Sequence, residues 1–218
     1  MGHADVYNSW KSDPEIFWME AAQAIDWDRP PSFAPDASRV DLYTYSLVNT
    51  SNNAVDRHIE NTRAARTAWI YDSPIIWAKD FITFQQLRDK TALLAGALLA
   101  KGVTKGDRVI IYMQMVPEAV IAMLACVRIG AIHSVVLGGF AASELAVRIN
   151  DAQPKAILAT SCGIEPGRII AYKPLIDEAI EIAQHKPETV FILQREQLKA
   201  ELPEGRDHDW SKSQCGVY

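Results

Sequence analysis

Apolar positions recur at two spacings along this chain, and the alternation between them lays out the elements. Thr83 and Gln86 stand at capping-box spacing, and Phe84, Leu87, Leu94, Ala95 and Leu98 follow at helical intervals up to Gly102, a natural helix stop. Arg108 to Met113 is a short apolar run and reads as a buried strand. Pro117 opens an apolar helix that ends at Gly130, Ile132 to Leu137 reads as the next strand, and Ser143 to Asp151 as a helix halted before Pro154. Ala156 to Thr160 is a strand, Pro174 opens a helix over Leu175 to Ala183, and Val190 to Leu193 is a further strand. Strands alternating with helices at this spacing predict βαβ units: an α/β fold with a mainly parallel sheet, its strands apolar throughout because helices cover both faces.

The flanks are less regular. Ser12 and Glu15 have capping-box spacing with Pro14 in the first turn, which predicts a helix through Ile16 to Met19. Residues 28–38 hold Pro30, Pro31 and Pro35 and read as an extended loop; the stretch from Val40 to Thr50 is rich in β-formers without a clear element. Asn53 to Ala65 reads as a second helix, and Trp69 to Tyr71 as a short strand. The expected organisation is a helical and loop extension over 1–65, an α/β subdomain over 66–200, and a polar tail over 201–218 that frays from the fold.

Composition narrows the function. A net charge of -5 leaves no basic surplus to attract a polyanion, so nucleic acid is not an expected partner. The longest apolar stretch, Val116 to Ile132, is broken by Pro117, Glu118, Arg128 and Gly130, which suits a buried helix and turn rather than a membrane span. Cys126, Cys162 and Cys215 have no metal-ligand spacing and form no disulfide framework, as expected of a reducing compartment. The first residues have neither a basic nor an apolar signal region, so a cytoplasmic location is expected, with the mitochondrial matrix as the alternative.

Two spots invite a ligand. Gly138 and Gly139 directly follow a strand, where open α/β sheets bind ligands and where bare backbone permits close approach. A tight strand-to-helix turn that binds nothing has the same sequence. Arg168 lies beyond the strand Ala156 to Thr160, where its guanidinium could clamp a phosphate or simply sit in solvent. His133 falls within a strand and reads as a hydrogen-bonded core histidine, and Asp207-His208-Asp209 as a solvated charge cluster. No histidine has a partner at metal-ligand spacing, and no GxxxxGK[ST], GxSxG or GxGxxG motif occurs, which disfavours a free-standing dinucleotide-binding domain. No metal site and no catalytic set can be assembled.

Several blocks then read together. YNSWKSDPEIFWMEAAQAIDW, NAVDRHIE, and the long run from TFQQLRDK through GDRVIIYMQMVPEAVIAMLACVRIGAIHSVVLGGF resemble the N-terminal part of AMP-forming short-chain acyl-CoA synthetases. SCGIEPGRIIAYKPLIDEAI and EGRDHDW are similar to the propionate–CoA ligase branch. The resemblance runs from Tyr7 to Trp210. It implies the N-terminal subdomain of the adenylate-forming fold, and an acid–thiol ligase that joins a short-chain carboxylate to CoA through an acyl-adenylate, using ATP-Mg. It implies that Gly138 and Gly139 approach the pantetheine end of CoA and that Arg168 contacts a CoA phosphate. Glu165 stands where acetyl-CoA synthetases carry a second arginine, which weakens that phosphate site, and LYTYSLVNTSN departs from the family pattern before NAVDRHIE. The family's ATP-phosphate loop, acyl pocket and mobile C-terminal domain have no counterpart in these blocks, so this chain is expected to be inactive alone, to bind CoA weakly and hold no cofactor tightly, and to self-associate through an apolar docking surface. The alternatives are an acetyl- or acetoacetyl-CoA synthetase portion, or a non-catalytic CoA-binding module.

Overall fold

The computed structural model describes residues 2–32, 43 and 45–214. The chain divides into two compact units, Met1–Asn53 and Ala54–Tyr218, a division earlier in the chain than residue 65.

In the first unit, helices α1 (His3–Ser12) and α2 (Pro14–Ala22) meet at Asp13. The expected cap of α2 was Ser12; Asp13 holds that place instead, its carboxylate accepting from the Ile16 N–H at 3.0 Å. Pro14 is the first helical residue and lacks the N–H that would need a partner there, so the cap falls one residue later than the Ser12/Glu15 spacing suggests. Ser12 belongs to α1, and its hydroxyl donates to the Asn8 carbonyl. The Asn53 side chain both accepts from the Asp26 N–H and donates to the Asp26 carbonyl. Parts of the three-proline loop and of the β-rich stretch after Val40, together with Cys215, lie outside the described residues.

Wide helical turns span Asn52–Asp56 and Ile59–Arg63, on the segment read as a helix. The hairpin β1 (Thr67–Ser73) and β2 (Ala78–Thr83) follows; β2 (AKDFIT) alternates too weakly to stand out in the sequence. The capping box then starts α3 (Phe84–Ala100), with Thr83 accepting from the Gln86 N–H and Gln86 accepting from the Thr83 N–H. Beyond it come β3 (Arg108–Met113), α4 (Pro117–Arg128), β4 (Ile132–Leu137), α5 (Ala142–Ala152), β5 (Ala156–Thr160), the hairpin β6 (Cys162–Glu165) and β7 (Arg168–Ala171), α6 (Tyr172–Ile182), β8 (Thr189–Leu193), β9 (Asp207–Asp209) and α7 (Trp210–Ser213).

The main sheet has five parallel strands in the order β4-β3-β5-β8-β9. Side chains alternate across its central strands. Val109, Ile111, Leu158 and Phe191 pack with α3, α4 and Trp210 on one face. Ile110, Tyr112, Ile157, Ala159, Val190 and Ile192 pack with α5 and α6 on the other. The α/β fold with a mainly parallel sheet and covered central strands is as expected. Full cover fails at β4, where Val135 and Leu137 are 55% and 59% exposed, because an edge strand has one neighbour and Val136 alone is buried by the helical layer.

The far edge overturns the polar tail. Asp207–Asp209 pair with β8 as a strand, and Trp210 is buried. Asp207 is not part of a solvated cluster: its side chain is 1% exposed and bonded to Lys173 Nζ at 2.8 Å and Arg206 Nε at 2.7 Å. Asp177 pairs with the same two cations. A strand with no apolar residue is invisible to hydrophobic patterning; its burial is made tolerable by compensating charges from α6 and from the preceding turn.

Burial acts to raise the Asp207 carboxyl, but hydrogen bonds from Arg206 and Lys173 outweigh it and hold it below the usual aspartate range. Its stabilising contribution is therefore complete above the unfolded aspartate value and lost as pH falls through the lower folded value. Asp207→Asn should cost about 3 kcal/mol at neutral pH and flatten the acid limb of the stability curve below about pH 4, read by urea unfolding across that range.

Candidate functional site

The strand order places a topological switch between β3 and β5, since the chain crosses from β4 on one side of β3 to β5 on the other. Open α/β sheets bind ligands outside the carboxyl ends of their strands at such a point. A cleft of about 410 Å³ lies there, lined by Gln114, Val116, Leu137, Gly138, Ile164, Glu165 and Arg195, together with the end of β1 and the turn after it (Tyr71 to Ile76).

The sheet positions each wall. Gln114 is the first residue after β3, and its amide pairs with the β6 backbone. Its Nε2 donates to the Ile164 carbonyl at 3.2 Å, and its Oε1 accepts from the Ile164 N–H at 2.8 Å and from Arg195 Nη1 at 3.0 Å. Arg195 follows β8, and its backbone N–H donates to the Ser161 hydroxyl. One glutamine thus joins the ends of three strands.

The Gly138–Gly139 turn forms the wall next to β4. Gly138 donates to the Met113 carbonyl at 3.1 Å. The Tyr112 hydroxyl accepts from the Gly139 N–H at 3.0 Å and donates to the Phe140 carbonyl at 2.7 Å. Burial pushes the Tyr112 phenol up, only partly offset by the Gly139 bond. Gly139 has φ +99°, in the region only glycine adopts without strain. The missing Cβ at Gly138 points inward: it would stand 2.6 Å from Tyr172 Cε2 and 2.9 Å from the Met113 carbonyl carbon. Crowding beneath the turn therefore requires glycine whether or not a ligand lies above it.

Arg168 sits apart from this wall. It begins β7, across the Pro166–Gly167 turn from Glu165, and its Nη2 pairs with the Glu165 carboxylate at 2.6 Å. Its side chain is 68% exposed and borders a second groove over the hairpin, which shares Pro74, Ile75, Ile164 and Glu165 with the cleft. Of the three expected contact residues, Gly138 lines the cleft, Gly139 is the next residue along the same turn and is not among the lining residues, and Arg168 reaches only the neighbouring groove. The sequence reading passed over Gln114, Arg195, Tyr112 and Tyr172. Gln114 had a signal, a lone amide at the carboxyl end of an apolar strand; the others gain their place only through strand order.

His133, half-buried on the edge strand, is shifted down by burial. The buried Cys126 thiol is pushed up to about 12 by burial, which leaves it an inert packing residue. Among the described residues no group of histidine, cysteine and carboxylate side chains could hold a metal ion.

The family profile described as AMP-binding enzyme matches residues 55–215. The chain is 45% identical over 208 residues to a mitochondrial acyl-CoA synthetase short-chain family member 3 of Rattus norvegicus, covering 92% of this chain and 30% of that protein. It is 41% identical over 214 residues to a propionate–CoA ligase of Salmonella typhimurium, covering 97% of this chain and 34% of the ligase. The acetoacetyl-CoA synthetase of Streptomyces lividans shares the fold, with a TM-score of 0.85 at 20% identity over all of this chain and 34% of that one. The chain thus spans about a third of the length of these relatives. The structural likeness shows the shared fold, and the profile spans most of the sequence: the chain belongs to the AMP-binding enzyme family.

Proposed function

We propose that this chain is the CoA-binding N-terminal portion of an AMP-forming acid–thiol ligase whose carboxylate is propionate. The observation that carries the reading is the cleft at the strand carboxyl ends, walled by Gly138, in a chain of the AMP-binding enzyme family. In the complete reaction a carboxylate oxygen attacks the α-phosphorus of ATP-Mg and pyrophosphate leaves. The CoA thiol then attacks the acyl carbon, loses its proton, and expels AMP. Adenylation replaces a poor leaving group before the thiol arrives. Two features favour propionate over acetate: the YKP and RDHDW blocks at 172–174 and 206–210, and the likeness to a propionate–CoA ligase.

The role assigned to these residues is on the CoA side. The Gly138–Gly139 turn offers a smooth wall for the pantetheine arm, and Arg168 a cation for a CoA phosphate. Glu165 competes for that cation through the 2.6 Å pair. No helix among the described residues is long and apolar enough to cross a membrane, and a cytoplasmic location fits the sparse cysteines. Val135 and Leu137, two residues apart on edge strand β4, are exposed apolar side chains that we assign to self-association of the chain.

Calorimetric titration with CoA should give weak, measurable binding. Arg168→Ala should weaken it about tenfold, and Glu165→Gln should tighten it by releasing the guanidinium. Unchanged affinity in both variants would remove Arg168 from the site. With propionate, ATP-Mg and CoA, the folded chain should release no AMP or pyrophosphate; turnover would assign adenylation to residues within these 218. Gel filtration at two concentrations should show an oligomer that Val135→Lys returns to monomer.

A further inference from the structure

Tyr172 is fully buried at the first position of α6, and its hydroxyl has no hydrogen-bond partner among the described residues. A buried, unpartnered hydroxyl is unfavourable and calls for an explanation in shape rather than in bonding. Burial, followed by the neighbouring Tyr112 and Glu165, pushes this phenol up, so it stays neutral.

The shape is specific. A Cβ at Gly163 would overlap the Tyr172 hydroxyl oxygen and stand 2.5 Å from Cζ, and its three nearest atoms all belong to this ring. A Cβ at Gly138 would stand 2.6 Å from Cε2 of the same ring, and one at Gly139 would stand 3.5 Å from its hydroxyl. The ring also packs against Tyr112 with centroids 5.1 Å apart, and Tyr112 holds Gly139 and Phe140 by its hydroxyl. The Tyr172 N–H is anchored to the Ser161 carbonyl at 3.0 Å. Gly138 lies on one wall of the cleft, and Gly163 directly precedes Ile164 and Glu165 on the other.

We propose that Tyr172 is a positioning residue: its ring is wedged behind the cleft between Gly138 and Gly163 and sets the separation of the two walls. Both glycines are glycine because the tyrosine occupies the volume their side chains would need. The ligand-facing geometry is thus fixed from the core side, by a residue that never touches the ligand. The consequence for CoA rests on the reading above, whereas the wedge itself is a property of packing.

The test is a double-mutant cycle on the full chain, read by urea unfolding. Gly163→Ala should lower the midpoint in the wild-type background and leave it unchanged when Tyr172→Leu has removed the ring, because contacting residues couple and distant ones add. Should Tyr172→Leu not fold, Gly163→Ala in a Tyr172→Phe background should recover part of the lost midpoint, since the hydroxyl is the nearest obstacle. Equal losses in the wild-type and substituted backgrounds overturn the wedge. Calorimetry with CoA adds a readout that stability alone would not move. Gly163→Ala should bind about tenfold more weakly, which is 1.4 kcal/mol, and the relieved double variant should regain affinity. Unchanged affinity in folded Gly163→Ala would refute control of the cleft. If the wild-type chain binds no CoA, the ligand reading fails, while the unfolding cycle still decides the wedge.

Discussion

Everything in the larger unit depends on the alternation of side chains in β3, β5 and β8. Each places successive residues on opposite faces of one parallel sheet, and both faces are closed by helices. Parallel strands need such crossovers, and these strands supply apolar side chains to both sides. Once they are registered, the carboxyl ends of β3, β4 and β5 and the segment after β8 converge on one side of the sheet. The cleft is a consequence of that convergence. No single residue makes it; Gln114, Ile164 and Arg195 meet because the strands before them are in step.

The two edges of the sheet resolve their exposure by different physics. At β9 the strand is polar, and its buried aspartate is matched by Lys173 and Arg206, themselves paired with Asp177. Removing Lys173 or Arg206 takes a partner from the desolvated Asp207 carboxylate, whose burial depends on both. At β4 the strand is apolar and half uncovered, and Val135 and Leu137 remain in contact with water. Such an edge is a surface for pairing or docking unless something blunts it.

Glycine in the candidate site has two readings that one letter of sequence cannot separate. A bare backbone admits a ligand from outside, and it also admits a crowded neighbour from inside. At Gly138 and Gly163 the inside reading has direct support, because Tyr172 fills the space. At Gly139 the backbone angle adds a further reason. A role in ligand contact is compatible with both, since the outward face of the turn stays smooth. Arg168 is a different case: its cation is already engaged by Glu165, so its affinity for a phosphate depends on what that carboxylate gives up.

By itself the sequence determined the strands Arg108–Met113, Ile132–Leu137 and Ala156–Thr160, the helices between them, and the capping box at Thr83. These are local, because apolar period, caps and breakers act within one or two turns of chain. The glycine pair and Arg168 were also legible as candidates, and the resemblance of whole blocks pointed to the family. Only the tertiary structure decided that Asp207–Asp209 is a strand, that Gln114 and Arg195 meet, and that Tyr172 lies beneath Gly138. Each of these depends on residues far apart in the chain. A buried charge becomes acceptable only when its partners arrive from other elements, and a glycine becomes obligatory only when a distant ring takes the space. Neither condition leaves a mark in the local pattern.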